Sequence, residues 1–222
     1  MFFEEKLKSI EEKDTVLEIG PGSSPHSRSN AFLELEQSES DRLKQRGHVV
    51  EDPEFGDRPV FFYDGKNFPF KDNEFDYVIC SHVLEHVENP EQFLTEIFRV
   101  GGGKGYIEYP LVTYEFLYNF QVHLNFIKFI EGGNTLVYLP KDESNLKDFY
   151  PVNKLLYRTL EKGWNDLCAC NKELFFEGFE FNSPFEVKRA ESIEELVPPL
   201  SNVQTKTYAR SLSDRMLIKL GL

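Results

Sequence analysis

Apolar and polar positions follow two periods along this 222-residue chain. Short apolar runs, each stopped by Gly, Pro, Asn or Asp, read as strands at residues 16–19, 31–36, 60–63, 77–80 and 105–109. Elsewhere the spacing is helical. Leu7 and Ile10 share one side of a predicted amphipathic helix over residues 3–13. A small helix is predicted over 40–46, with Ser40 as N-cap and Gly47 as its stop. Asn89-Pro90 gives a cap and a first-turn proline. Phe93, Leu94, Ile97 and Phe98 then recur at helical spacing until the glycines at 101–103. Tyr77-Val78-Ile79-Cys80 has no polar alternation, as expected of a strand buried on both faces of a parallel sheet. Strands alternating with helices imply βαβ units, so the pattern predicts an α/β fold with a doubly wound, mostly parallel sheet.

The texture changes after Leu111. Tyr114, Phe116, Tyr118, Phe120 and Phe126 crowd together, and Ile130-Glu131-Gly132-Gly133-Asn134-Thr135 reads as a turn between two apolar runs. Helices are predicted over 152–162 and 166–176, and last strands at 179–181 and 185–188. Residues 111–176 are therefore expected to form an aromatic-rich insertion or cap after the fifth strand. The whole chain, 1–222, is expected to be one domain, with 14–110 as its ligand-binding half and 177–222 as its last strands and C-terminal segment.

Composition narrows the options. Apolar residues make up 40% of the chain, a globular value, and its length suits one α/β domain. With 25 basic and 38 acidic residues the net charge of −13 would repel a polyphosphate, so no nucleic-acid partner is expected. No apolar run approaches a membrane span, and the first residues do not resemble a signal peptide. Cys80, Cys168 and Cys170 make no disulfide framework. A reducing compartment, the cytoplasm, is expected.

The chemistry begins at Val16-Leu17-Glu18-Ile19-Gly20-Pro21-Gly22. Glycines at the carboxyl end of a first strand let backbone approach a ligand at the usual crevice of such a sheet. A dinucleotide fingerprint needs a further glycine where Pro25 stands, and a helix that the short stretch to Ala31 cannot hold. Further on, Asp64-Gly65-Lys66-Asn67-Phe68-Pro69-Phe70-Lys71-Asp72-Asn73-Glu74-Phe75-Asp76-Tyr77-Val78 runs into Val83-Leu84-Glu85-His86-Val87-Glu88-Asn89-Pro90. In this order the three pieces resemble class I S-adenosylmethionine (SAM)-dependent methyltransferases, most closely the type 11 branch. The resemblance implies a seven-stranded Rossmann-like sheet and SAM as cofactor.

It also implies roles. Glu18, Gly20, Pro21 and Gly22 would line the amino-acid end of SAM, and Glu34 or Glu36 would accept from the ribose hydroxyls, with Glu36 nearer the strand end. Asp64 and the Gly65 backbone would meet the adenine, with Ser81 also at the cofactor. The loop Ser23–Ser29 replaces the family's first helix, so Arg28 is a candidate for the SAM carboxylate. Arg99-Val100-Gly101-Gly102-Gly103-Lys104-Gly105 departs from the family's corresponding stretch and reads as a helix-to-strand turn. Asp76 lies at the far end of its strand and is expected to be structural.

Methyl transfer is an in-line displacement in which positioning does most of the work. For a hydroxyl acceptor a general base would help, and the candidates are His82, His86 and, reaching in from the cap, His123. If the stretch after the fourth strand is helical, His82 and His86 share a face. The pair suggests half a metal site with no third ligand, so no metal is expected. The aromatic block either stacks on a sugar or packs as core. A looser likeness of Glu108-Tyr109-Pro110-Leu111 through Asn125-Phe126, and of Phe149-Tyr150-Pro151, to methyltransferases encoded among surface-glycan genes implies a role in polysaccharide biosynthesis. The expected acceptor is a glycan or another small hydroxyl molecule. Two alternatives stay open: a SAM-binding regulatory or scaffold protein without turnover, and a nicotinamide oxidoreductase, against which Pro25 argues.

Overall fold

A computed structural model describes residues 1–36, 54–159, 168 and 170–198. Its main sheet is built from β1 (Val16–Ile19), β2 (Ala31–Leu35), β3 (Val60–Tyr63), β4 (Tyr77–Ser81), β5 (Gly105–Pro110) and β8 (Phe176–Phe181). The order is β3-β2-β1-β4-β5-β8, parallel except for β8, which pairs antiparallel with β5. A three-stranded sheet, β6 (Asn125–Ile130), β7 (Thr135–Pro140) and β9 (Glu186–Arg189), lies alongside. The helices are α1 (Pro90–Val100), α2 (Val112–Tyr118), α3 (Tyr150–Thr159) and the single turn α4 (Lys172–Phe175).

Side-chain alternation explains why both sheet faces are covered. Leu17, Ile19, Val78, Cys80, Ile107 and Tyr109 join one buried cluster with Phe93, Leu94, Ile97 and Val100 of α1. Val16, Tyr77, Ile79 and Tyr106 join another with Phe3, Tyr118 and Phe176. The β6–β7 hairpin repeats the logic: Ile127 and Leu136 join the first cluster, while Phe126, Val137 and Leu139 pack against Leu146, Ala190 and Leu196.

Helix α1 starts where its cap chemistry requires. The Asn89 side chain accepts from the Gln92 N–H, an interaction worth about 1 kcal/mol. It ends at the glycine run, where a Cβ on Gly101 would lie 2.6 Å from Val78 Cγ2 and Gly103 has φ +78°. That run is a helix-to-strand turn forced by close packing, as expected. Arg99 then ties α1 to the segment before β4, donating to the Phe68 and Phe70 carbonyls and to Glu96 and Asp72. Asp76 closes the opposite end of the sheet by accepting from the Thr15 amide and hydroxyl.

Several expectations need correction. In place of a helix over 3–13 there is one 3-10 turn, Glu4–Lys6. Tertiary partners take amides that the helix interior would need: Lys8 and Ser9 donate to Glu180, while Phe2 and Phe3 anchor the segment's start on Glu108. The main sheet has six strands among the described residues, not seven. The expected last strand pairs parallel with β7 instead of extending that sheet. Strand 31–36 stops at Leu35, with the Glu36 amide donating to the Tyr63 carbonyl. Of the two later helices, 152–162 begins earlier, at Tyr150. The described part of 166–176 is helical at Cys168 and Cys170 and again over Lys172–Phe175, and it ends at Phe175 because Phe176 has already entered β8. The helix expected over 40–46 lies outside the described residues.

Candidate active site

Strand order reverses between β1 and β4, with β2 on one side and β5 on the other. Loops that leave such strands in opposite directions open a crevice at the carboxyl ends. A cavity of 1220 Å³ occupies that crevice. It is larger than the range of about 300–1,000 Å³ common for ligand pockets, leaving room for a cofactor and a second molecule.

The sheet wall is mostly backbone. Gly20, Pro21 and Gly22 turn the chain out of β1 and line the cavity. Gly20 has φ +57°, and a Cβ there would lie 2.7 Å from Val83 Cγ2, so position 20 admits only glycine without rearrangement. Residues 23–30 form turns and contain no helix, as the short spacing predicted. Glu18 organises this loop. Its side chain is buried, and one carboxylate oxygen accepts from the His26 amide at 2.8 Å and the Ser29 hydroxyl at 2.7 Å. Burial pushes its pKa up despite those bonds.

Glu34 and Glu36, at the end of β2, also line the cavity, as do Asp64 and Gly65 after β3 and Ser81 at the end of β4. Asp64 folds its own turn, with Oδ1 accepting from the Lys66 and Asn67 amides, and these bonds lower its pKa. All nine residues expected at the cofactor thus converge on one cavity. Arg28 does not: its guanidinium donates to the Glu11 and Glu12 carbonyls, away from the cavity lining.

The opposite wall begins at His82, a non-glycine residue at φ +55°. Glu108, fully buried on β5, holds it twice: the His82 amide donates to the Glu108 carbonyl, and Nε2 lies 3.0 Å from its carboxylate. Glu108 also accepts from Ser81, Tyr106 and the amides of Phe2 and Phe3. Burial alone would raise its pKa, but His82 and these donors hold it at about 2. Burial would lower the His82 pKa, but the carboxylates of Glu108 and Glu85 outweigh that and push it up to about 9. The ring is therefore an imidazolium at neutral pH, braced by Phe2 and Phe176.

His82 and His86 do not share a helix face, because the stretch is a 3-10 turn over Leu84–His86. His86 lines the cavity and faces His123 edge-on, with ring centroids 4.6 Å apart. His123 itself lines a smaller neighbouring pocket of 630 Å³ under the cap. Most of the aromatic block is core: Tyr109, Tyr118 and Phe126 are buried, and none of Tyr114, Phe116 or Phe120 lines the main cavity. Sequence reasoning missed Glu108, and also Glu115 with Lys141. A carboxylate inside the apolar run Tyr106-Ile107-Glu108-Tyr109 was the available signal, because a buried charge has to have partners.

A doubly wound, mostly parallel sheet with a glycine-turned crevice, and with no helix between β1 and β2, is a Rossmann-like fold. Residues 17–108 match the family described as methyltransferase domain, and over that stretch the chain is similar to the type 11 branch of the class I methyltransferases. No curated protein matches the chain. Among solved structures it is similar to the chain described as a methyltransferase in a complex with the Haloferax volcanii Trm112 methyltransferase activator, at 24% identity and TM-score 0.34, over 46% of this chain and 47% of that one. A SAM-dependent methyltransferase from Thermotoga maritima matches at 22% identity and TM-score 0.33, over 50% of each chain. SAM-dependent methyltransferases from Methanosarcina mazei match at 16% identity and TM-score 0.34, over 55% of this chain and 69% of that one. The chain thus spans about half the length of the first two. At these TM-scores the likenesses are partial. No described helix is long and apolar enough to cross a membrane.

Proposed function

We propose that this protein transfers a methyl group from SAM to a hydroxyl of a sugar or another small hydroxyl compound. One observation carries the reading: residues from four separate stretches, at the ends of β1, β2, β3 and β4, line a single cavity. SAM supplies an electrophilic methyl on a sulfonium. The Gly20 turn admits the amino-acid end of the cofactor closely, Glu36 accepts from the ribose hydroxyls, and Asp64 with the Gly65 backbone reads the adenine. Catalysis is then chiefly positioning, since an in-line displacement needs donor and acceptor held in near-attack geometry.

On the acceptor side stand His82 and His86. His82 is locked between Glu108 and Glu85, and it sets the electrostatics of the wall. His86 spends its Nδ1 proton on the Val122 carbonyl at 3.0 Å, which leaves Nε2 with a lone pair to meet the acceptor oxygen. Val122 and Leu124 of the cap complete that wall. A glycan acceptor fits the looser sequence likeness of the cap, and the free thiols of Cys80, Cys168 and Cys170 suit a cytoplasmic setting. The test is incubation with methyl-labelled SAM and a panel of sugars, with products identified by mass. Methylated sugar supports the reading. SAM binding without turnover on any hydroxyl acceptor would return the protein to the regulatory class.

A further inference from the structure

Beside the cofactor cavity lies a group of side chains that neither the fold nor the cofactor requires. Glu85 is fully buried, yet neither carboxylate oxygen has a hydrogen-bond partner; the nearest cationic atom is His82 Nδ1 at 3.4 Å. The His82 imidazolium offsets the charge of this carboxylate, but its oxygens still lack the hydrogen bonds that a buried carboxylate ordinarily accepts. His86 and His123 adjoin it, and one ligand atom from each of the three residues lies within 4.8 Å of the other two. Ligand atoms held tetrahedrally at about 2.1 Å from one ion stand about 3.4 Å apart, so the trio would draw together on binding.

Both rings are prepared as ligands. His86 donates Nδ1–H to the Val122 carbonyl at 3.0 Å, and His123 Nδ1 lies 2.5 Å from the Glu115 carboxylate, itself buried and paired with Lys141 at 2.6 Å. Each histidine is thereby oriented by a carbonyl or carboxylate on one nitrogen and offers the other, the arrangement of metal-binding histidines. The backbone fixes the spacing, because the Leu124 amide donates to the Glu85 carbonyl and the Asn125 side chain to the Val87 carbonyl.

We propose that Glu85, His86 and His123 bind one divalent first-row transition-metal ion between the cofactor cavity, which His86 lines, and the smaller pocket, which His123 lines. Two imidazoles and one carboxylate suit a borderline ion such as Zn²⁺ or Mn²⁺ and leave coordination positions open. In the methyl-transfer reading, on which this second role rests, an open position holds the acceptor oxygen, and His86 Nε2 then serves as a ligand to the ion in place of meeting that oxygen directly. The ion site itself does not depend on that reading.

The test uses the full chain, stripped with a chelator and titrated with Zn²⁺ and with Mn²⁺ by calorimetry. One ion per chain is expected. His123→Ala should abolish binding, and Glu115→Gln should weaken it about 10- to 100-fold. His123→Ala should leave SAM affinity unchanged, because His123 does not line the cofactor cavity; that measurement, with a thermal melt, shows that the variant is folded. If the melt drops, His123→Gln replaces it. No binding of either ion, or binding that His123→Ala leaves intact, overturns the site. Metal binding with no effect of chelation on methyl transfer to a hydroxyl would keep the site and overturn its acceptor role.

Discussion

The two walls of the main cavity are made of different material. On the sheet side, β1 and the ends of β2 and β3 offer a backbone turn and acidic side chains at the rim, held by ladder hydrogen bonds and by Glu18. On the cap side, the turn after β4 and the segment before β6 meet through buried ionised groups: Glu108 with His82, Glu85 beside His86 and His123, and Glu115 with Lys141. The first wall tolerates change wherever the backbone keeps its path. The second depends on each charge keeping its partner, because a buried charge left alone costs several kcal/mol. Shape is the task of one wall, and charge of the other.

Substitutions can break that contrast, starting with the largest effect. Gly20→Ala forces a Cβ into Val83 at a positive φ, and we expect kcat/KM to fall by about 10²-fold or more with the fold retained by circular dichroism. Unimpaired turnover would show that the turn does not shape the site. Glu108→Gln removes one partner of a buried pair and should cost about 3 kcal/mol in urea unfolding.

The sign of the pH effect follows from the depressed pKa. Glu108 titrates near 2 in the fold against an ordinary 4.5, so its stabilisation is present above about pH 4.5 and is lost as pH falls towards 2. The variant's stability should accordingly decline less steeply in acid than that of the wild type, and parallel acid limbs would remove Glu108 as the hub. Glu36→Ala should weaken SAM binding roughly tenfold by calorimetry, through loss of a charged hydrogen bond to ribose. Arg28→Ala sits at the small end: no change in SAM affinity and less than about 1 kcal/mol in stability are expected, since among the described residues the Arg28 guanidinium serves the exposed Glu11 and Glu12 carbonyls. A clear loss of SAM affinity there would restore Arg28 to the cofactor.

Parts of the molecule that local chemistry dictates were legible beforehand. Val16–Ile19 ending in Gly20, the capped start of α1 at Asn89-Pro90, and the apolar run of β4 are each specified by neighbours in the sequence, and each stands where its pattern put it. The residues expected at the cofactor line one cavity for the same reason, because strand ends in a parallel sheet fall on one edge. The predicted helix over 3–13 failed because Glu180, more than a hundred residues away, took the Lys8 and Ser9 amides that its interior would use. The expected last strand left the main sheet because β7 offered it a free edge.

Sequence by itself determined the α/β class, the glycine-turned crevice and the residues around it, since periodicity, capping and φ preference act over a few residues. Only the tertiary structure decided which buried carboxylate meets which histidine. Glu85 and His86 sit together in the chain, but His123 and Glu115 reach them through the path of the cap, and burial then makes that meeting energetically decisive. Long-range pairing of charges leaves no periodic trace in a sequence, which is why His86 and His123 could be named early but the Glu115 that pairs with His123 could not.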